Sequence, residues 1–129
     1  MLIPTFGVQL IYRMEQSEQE KLNWSEFMKV EMRVGTIISA EKFKEVRNPA
    51  YKMIVDFGPF GTRKTSAQIT KLYTPEEMVG KQVIAVLNFP PKQIATIMSE
   101  CLVMGCVGDE KEVTLIQPER KVANGTRIG

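Results

Sequence analysis

The 129-residue sequence contains no histidine. Histidine is the commonest general base and metal ligand near neutral pH, so its absence removes the Ser-His and Cys-His nucleophile pairs and most zinc sites. The sequence therefore predicts no metal site and no other cofactor. It also disfavours an enzyme that works by acid–base or nucleophilic catalysis.

Cysteine is scarce as well. Cys101 and Cys106 lie five positions apart, a spacing that matches neither CxxC nor a recognised metal site. If one strand carried both, the odd separation would point them to opposite faces. We therefore predict two unpaired thiols in a reducing, cytoplasmic compartment, where structural disulfides are rare.

Long apolar runs and a strong charge imbalance are also missing. No run is long enough to span a bilayer, and residues 1–13 lack the basic region and cleavage site of a signal peptide, so we predict no membrane insertion. The net charge of +2 does not by itself indicate a nucleic-acid binder. Such a role would require the positive charge to be concentrated on one face.

The length fits one domain that can bury a core without disulfides. Residues 1–23 are predicted to form a loosely ordered N-terminal extension, and residues 24–129 the domain itself. Short apolar or alternating runs separated by turn residues predict five or six strands, at 30–39, 51–57, 62–68, 83–87, 101–104 and 113–116. Gly35 interrupts the alternation of the first run and suggests a bulge or a sharply bent barrel strand.

Two short helices complete the pattern. Thr74, Pro75 and Glu77 form a capping box with proline at the first helical position, and Gly80 ends the helix. This helix start accounts for Glu76 and Glu77 without any catalytic role. Residues 24–28 predict a short N-terminal helix that is capped by Ser25, with Trp24 and either Phe27 or Met28 packed inward.

These elements predict an all-β fold. A short helix between the third and fourth strands suits a five-stranded Greek-key barrel of the OB-fold type. Residues 88–99 follow a buried strand with Asn-Phe-Pro-Pro and then carry a cation, an amide and hydroxyls with no obvious structural partner. Binding residues often lie on loops that a rigid scaffold holds in place, so this connection is the first place to look for function.

Four segments are more specific: MRVGTI (32–37), TSAQITKLYTPEEMVGKQVIAVLNFPPKQI (65–94), SECLVMG (99–105) and ANGTRIG (123–129). Together they resemble the tRNA-binding-domain family over residues 24–129. The resemblance implies an OB-fold homodimer, joined through its termini and outer barrel segments, that binds tRNA or structured RNA by shape. One branch of the family contains export-related chaperones, which implies unfolded preproteins and the export machinery as alternative partners.

The resemblance also places ligand-facing residues. The family pattern falls on Arg63, Ser66, Asn88, Lys92 and Ser99. Cations for phosphates and donors for bases are what a nucleic-acid groove requires. Lys52 and Lys64 would add to that charge or would simply be solvated on a strand edge.

An apolar set in the same connection supports the alternative. Its members are Phe89, Ile94, Ile97 and Met98. If these side chains line a groove, they could dock an extended peptide. If they pack under the connection or across a dimer interface, they are structural.

Overall fold

The main sheet of the computed structural model, which describes residues 20–129, has five antiparallel strands in the order β3-β2-β1-β4-β7. The strands are β1 (Met32–Lys42), β2 (Tyr51–Asp56), β3 (Thr62–Ala67), β4 (Gln82–Val86), β5 (Lys92–Ile94), β6 (Ile97–Ser99), β7 (Leu102–Val103), β8 (Gly105–Val107) and β9 (Val113–Leu115). The helices are α1 (Trp24–Lys29), a 3-10 turn at Gly58–Phe60, and α2 (Pro75–Met78). The strands form an OB-like barrel, which confirms the predicted fold class. Residues 1–19, most of the predicted extension, lie outside the described residues.

β1 is the central strand of the sheet. Its first half pairs with β4 and its second half with β2. The register shifts between Ile37 and Ser39, so the bulge lies at Ile38 and not at the predicted Gly35. Gly35 pairs regularly with Val83 and instead permits a close approach, because a Cβ there would lie 2.6 Å from Cε1 of Phe57.

The core lies inside this sheet. Met53, Val55 and Phe57 are buried while their neighbours on β2 are half-buried, as the predicted alternation requires. Met78 of α2 is fully buried in the core cluster. The predicted capping box is confirmed, with the Glu77 N–H donating to Thr74 Oγ1 at 3.3 Å and the Thr74 N–H donating to Glu77 Oε1 at 2.6 Å.

α1 differs from the prediction. Its cap is Asn23, whose Oδ1 accepts the Glu26 N–H at 2.9 Å, whereas the predicted cap Ser25 donates its own hydroxyl to that oxygen. Trp24 is 74 % exposed and packs on Phe27 with 5.7 Å between the ring centroids, so the prediction that it packs inward is wrong. The reason is that this six-residue helix buries none of its residues against the barrel.

Residues 92–99 form a β-hairpin, β5–β6, where the sequence predicted only a connection. Its turn at Ala95 has a φ of 48°, a conformation usually taken by glycine or asparagine. Because an alanine stands there, no turn residue marked the hairpin in the sequence. The predicted strand at 101–104 is also shorter than expected. β7 holds only two residues, and the chain then leaves the main sheet to pair β8 with β9.

Hydrogen bonds close the barrel where β3 meets the segment that precedes β7. The Glu100 N–H donates to the Lys64 carbonyl at 2.8 Å, and Thr65 Oγ1 donates to the Cys101 carbonyl at 2.9 Å. Beyond β9, the Asn124-Gly125 turn leads into an extended segment along β1, where the Val34 N–H donates to the Thr126 carbonyl at 2.9 Å. Among residues 20–129, no helix is long and apolar enough to cross a membrane.

Candidate nucleic-acid interface

A cavity of about 380 Å³ lies between β3 and the base of the β5–β6 hairpin. We call it the rim pocket. The residues that matter for its chemistry are Ser66, Phe89, Lys92, Ile94, Ser99 and Leu102. It therefore combines hydroxyls and a cation with an aromatic ring and aliphatic side chains.

Ser99 is fixed at the back of this pocket. Its Oγ lies 3.2 Å from Thr65 Oγ1 and accepts the Ser66 N–H at 3.5 Å. These contacts join the end of β6 to β3, so the hairpin is held against the barrel at its base. Ser66 lies beside Ser99 in the lining, and the two predicted serines are thus brought together.

Lys92 lies directly across the hairpin from Ser99 in the register of β5 and β6. Its side chain is exposed. Within residues 20–129, no carboxylate lies within salt-bridge distance of its ammonium group. The pocket mouth therefore presents a cation that an incoming anion can contact.

Arg63 is half-buried and lies outside the rim-pocket lining. Its guanidinium donates to the carbonyl oxygens of Leu87 at 3.2 Å and Glu100 at 3.3 Å. It therefore connects the end of β4 to the segment before β7. This bridge ties together two chain segments that adjoin the pocket residues Phe89 and Cys101 in sequence.

Asn88 has a similar supporting position. Its Oδ1 accepts the Glu31 N–H at 2.9 Å, and its Nδ2 donates to the Lys29 carbonyl. The amide thus fastens the end of β4 to the connection between α1 and β1. Of the five predicted nucleic-acid ligands, the structure brings Ser66, Lys92 and Ser99 into one pocket and places Arg63 and Asn88 beside it.

The predicted apolar set does not form one surface. Phe89 and Ile94 line the rim pocket, whereas Ile97 lines a second groove of about 200 Å³ over β2 and β3. Met98 pairs with Gln93 across the hairpin, and alternation places this pair on the opposite face from Ile94 and Ile97. A single peptide side chain could not contact all four.

The second groove carries the additional cations. Lys52 and Lys64 both line it, and Lys52 Nζ lies 3.4 Å from Glu41 Oε1. Lys64 is exposed, and within residues 20–129 no carboxylate lies within salt-bridge distance of it. Lys64 therefore adds positive charge on the strand that also carries Ser66.

Leu102 and Pro90 also line the rim pocket, although they were not among the predicted site residues. Leu102 is 51 % exposed although its neighbour Cys101 is buried. Strand alternation starting from Cys101 would have pointed Leu102 outward. That signal was available, but it was hidden in an uninterrupted apolar run.

The two cysteines differ in environment. Both are free thiols, as predicted, with Cys101 buried and Cys106 exposed. Burial raises the pKa of Cys101 from 9.0 to about 11, although the hydrogen bond from Thr65 partly offsets this. Cys101 is therefore a neutral thiol at physiological pH and no nucleophile.

A cleft of about 970 Å³ lies away from this region, between the β1–β2 connection and α2. Lysines and glutamates line it together, including Lys42, Lys71, Glu76 and Glu77. Because positive and negative side chains are mixed in its lining, this cleft does not offer the uniformly positive surface that a polyanion such as RNA would need. The rim pocket remains the better candidate.

The small barrel thus carries hydroxyls, an exposed cation and an exposed ring at its rim, a set of groups that suits binding. A family model described as "Putative tRNA binding domain" matches residues 32–127. The chain belongs to this tRNA-binding-domain family.

Solved structures agree with this assignment. The chaperone CsaA from Bacillus anthracis str. Ames is 46% identical with a TM-score of 0.81, over 84% of this chain and 99% of that chain. A MetRS related protein from Pyrococcus horikoshii is 32% identical with a TM-score of 0.77, over 86% of this chain and 100% of that one.

A curated relative is far longer. The methionine--tRNA ligase of Pelodictyon phaeoclathratiforme (strain DSM 5477 / BU-1) is 35% identical over 118 residues, or 87% of this chain. The match spans 17% of that enzyme's length.

Proposed function

We propose that this protein binds tRNA, or an RNA of similar structure, through the rim pocket and the lysines beside it, and that it catalyses no reaction. The observation that carries this proposal is the convergence of Ser66, Lys92 and Ser99 in one pocket of a tRNA-binding-domain barrel. In this proposal tRNA is the partner, and the free thiols fit a cytoplasmic location.

Each residue has a role that its environment allows. Lys92 and Lys64 are exposed cations, and they contact phosphates. Ser66 supplies a hydroxyl to the bound nucleotide, whereas Ser99 orients the hairpin. Arg63 and Asn88 hold the pocket walls through their backbone hydrogen bonds and add a donor where the RNA comes close.

We also infer a homodimer. Leu22, Trp24 and Phe27 line a shallow groove together with Gly129, so apolar side chains of α1 lie beside the C-terminal residue. Trp24 is 74 % exposed and Leu22 is 68 % exposed. Apolar surface of this kind commonly marks an interface, and a second copy covers it in this proposal. Sedimentation of the wild type and of Trp24→Glu tests this, since the variant should sediment as a monomer.

A second candidate function rests on the apolar part of the rim pocket. Phe89 is 56 % exposed and Leu102 is 51 % exposed, so the pocket could hold an apolar side chain of an unfolded polypeptide. The similarity to the chaperone CsaA favours the same candidate. Under this alternative, the partners are unfolded preproteins and the export machinery.

Salt separates the two candidates. Two or three phosphate contacts should reduce tRNA affinity by about 10- to 40-fold between about 50 and 200 mM salt, because bound counterions are released. Binding of a permanently unfolded polypeptide should change little over that range, because apolar contacts dominate. If neither ligand binds at the lower salt concentration, both candidates are wrong.

A further inference from the structure

The shape of the rim pocket bears on which part of an RNA it can hold. We propose that it takes one unpaired nucleobase, so that the RNA is recognised at a single-stranded end or loop. This inference rests on the proposed RNA binding and specifies the ligand of the same pocket.

The first support is the size and enclosure of the cavity. Its volume of about 380 Å³ lies toward the lower end of the range of roughly 300–1,000 Å³ that is typical of small-ligand pockets. Residues of the hairpin base and of β3 line it on two sides, so a ligand that fills it must enter between them. A paired base is stacked inside its duplex and could not enter, whereas an unstacked base could.

The second support is the exposed ring at the mouth. Phe89 is 56 % exposed although it lines the pocket, so it offers an uncovered aromatic surface. Pro90 follows directly, and its fixed φ restricts how far the segment can move. Unpaired bases stack on aromatic side chains, whereas base pairs inside a duplex have both faces covered by their neighbours.

The third support is the arrangement of polar groups. Within residues 20–129, the Ser66 hydroxyl makes no hydrogen bond, so it can pair with a base edge or a ribose hydroxyl. Lys92 lines the same pocket with its ammonium group unpaired in that range. A nucleotide consists of an apolar face, a hydrogen-bonding edge and a phosphate, and the pocket offers a partner for each.

Competition against tRNA tests the inference. The probes are a short oligo-uridine or oligo-adenosine strand and a blunt RNA duplex with the same number of phosphates. The single strand should displace tRNA from the wild-type protein at lower concentration than the duplex does. Placing 2-aminopurine in the strand should also give a fluorescence change on binding, because that base reports stacking.

Two variants locate the effect in the pocket. Phe89→Leu keeps an apolar side chain but removes the ring, and Ser66→Leu fills the cavity; neither changes the charge. Each should weaken binding of the single strand by roughly 5- to 100-fold and abolish the 2-aminopurine signal. Lys121→Ala is the control, since Lys121 lies in a separate groove and should leave the 2-aminopurine signal intact.

The outcomes are distinct. If tRNA binds with the expected salt dependence but the single strand competes no better than the duplex, the nucleobase inference is wrong and the proposed function stands. If Phe89→Leu and Ser66→Leu both bind the single strand with wild-type affinity, the nucleobase inference is also wrong. If Phe89→Leu loses only unfolded-polypeptide binding, the pocket belongs to a peptide side chain. If tRNA does not bind at all, the proposed function fails first.

Discussion

The hydroxyl of Thr65 donates a hydrogen bond of 2.9 Å to the backbone carbonyl of Cys101 and so joins β3 to the segment before β7. Thr65 is only 1% exposed, and its Oγ1 also lies 3.2 Å from Ser99 Oγ. A single buried hydroxyl therefore takes part in closing the barrel and in positioning the back of the rim pocket. Stability and binding should be coupled at this residue.

Replacing Thr65 by valine tests this coupling. The change keeps the shape but removes the shorter of two hydroxyl donors to the Cys101 carbonyl and leaves only Ser99 Oγ at 3.5 Å, so the free energy of unfolding should fall by about 1–3 kcal/mol. Urea denaturation measures the loss. Thr62→Val, at an exposed position of the same strand, should change it by less than about 0.5 kcal/mol. Equal losses in the two variants would show that the Thr65 hydroxyl has no special role.

Gly35→Ala should damage the barrel more severely. The new methyl group would lie 2.6 Å from Cε1 of Phe57 and 2.7 Å from Cγ1 of Val55, both in the core. Overpacking of this kind costs about 1–3 kcal/mol or more, which a thermal melt would record as a lower Tm. Gln68→Ala, a change at an exposed position, is the control and should leave Tm close to that of the wild type. If Gly35→Ala had the wild-type Tm, the close packing of Phe57 and Val55 against Gly35 would be contradicted.

Asn88→Ala should lower stability, because it removes two hydrogen bonds that fasten β4 to the α1–β1 connection. We expect a loss of about 1–3 kcal/mol in urea denaturation. Gln68→Ala removes an exposed amide and should have little effect. If Asn88→Ala instead leaves stability unchanged and weakens tRNA binding by tenfold or more (about 1.4 kcal/mol), Asn88 contacts the RNA directly.

Lys92→Ala should weaken tRNA binding and reduce the slope of log affinity against log salt by about one. The reason is that its ammonium group, unpaired among residues 20–129, would otherwise release one counterion. Filter binding or fluorescence anisotropy at several salt concentrations gives the slope. Lys121→Ala removes the same charge from a separate groove, and its slope should match that of the wild type.

The buried thiol of Cys101 should make stability depend on pH. Burial holds the pKa of Cys101 at about 11 in the folded protein, above its ordinary 9.0, and burial also raises the pKa of Tyr51. The folded state therefore binds protons more tightly than the unfolded state, so stability should be complete below about pH 9 and decline as pH rises toward 11.

Urea denaturation between about pH 7 and pH 10.5 measures this decline. Cys101→Ala should show a shallower decline than the wild type, since only Tyr51 would remain. If the stability of Cys101→Ala declined with pH as steeply as that of the wild type, Cys101 would not be a source of the pH dependence. In the native protein at neutral pH, a thiol reagent should modify the exposed Cys106 and leave the buried Cys101 until the chain is unfolded.

The sequence was most informative where the signals were local. The alternation of residues 51–57 and the capping box at Thr74 depend on neighbours within a few positions, and both appear as predicted. The β5–β6 hairpin was missed because Ala95 turns the chain without a glycine or asparagine. Trp24 was misplaced because a large aromatic side chain favours burial on average, while its helix has no buried face.

The candidate site was predictable only in part. Ser66, Lys92 and Ser99 came from the family resemblance, and the structure places them in one pocket. The backbone partners of Arg63 lie 24 and 37 residues away along the chain, and those of Asn88 lie 57 and 59 residues away, so no local pattern could reveal them. From sequence alone, polar side chains near a loop suggest a binding role. Hydrogen bonds to backbone atoms that are distant in the sequence can give the same side chains a structural role instead.

The segment that runs along β1 has a consequence for biosynthesis. Arg33 bonds to the Gly125 carbonyl, a separation of 92 residues, and Val34 is hydrogen-bonded to the same distant stretch. While the ribosome is still adding residues, one edge of the first strand therefore lacks its partner. Such distant pairing slows folding. A translating ribosome that stalls before residue 125 would leave a nascent chain with an uncovered strand edge, open to misassembly with its neighbours.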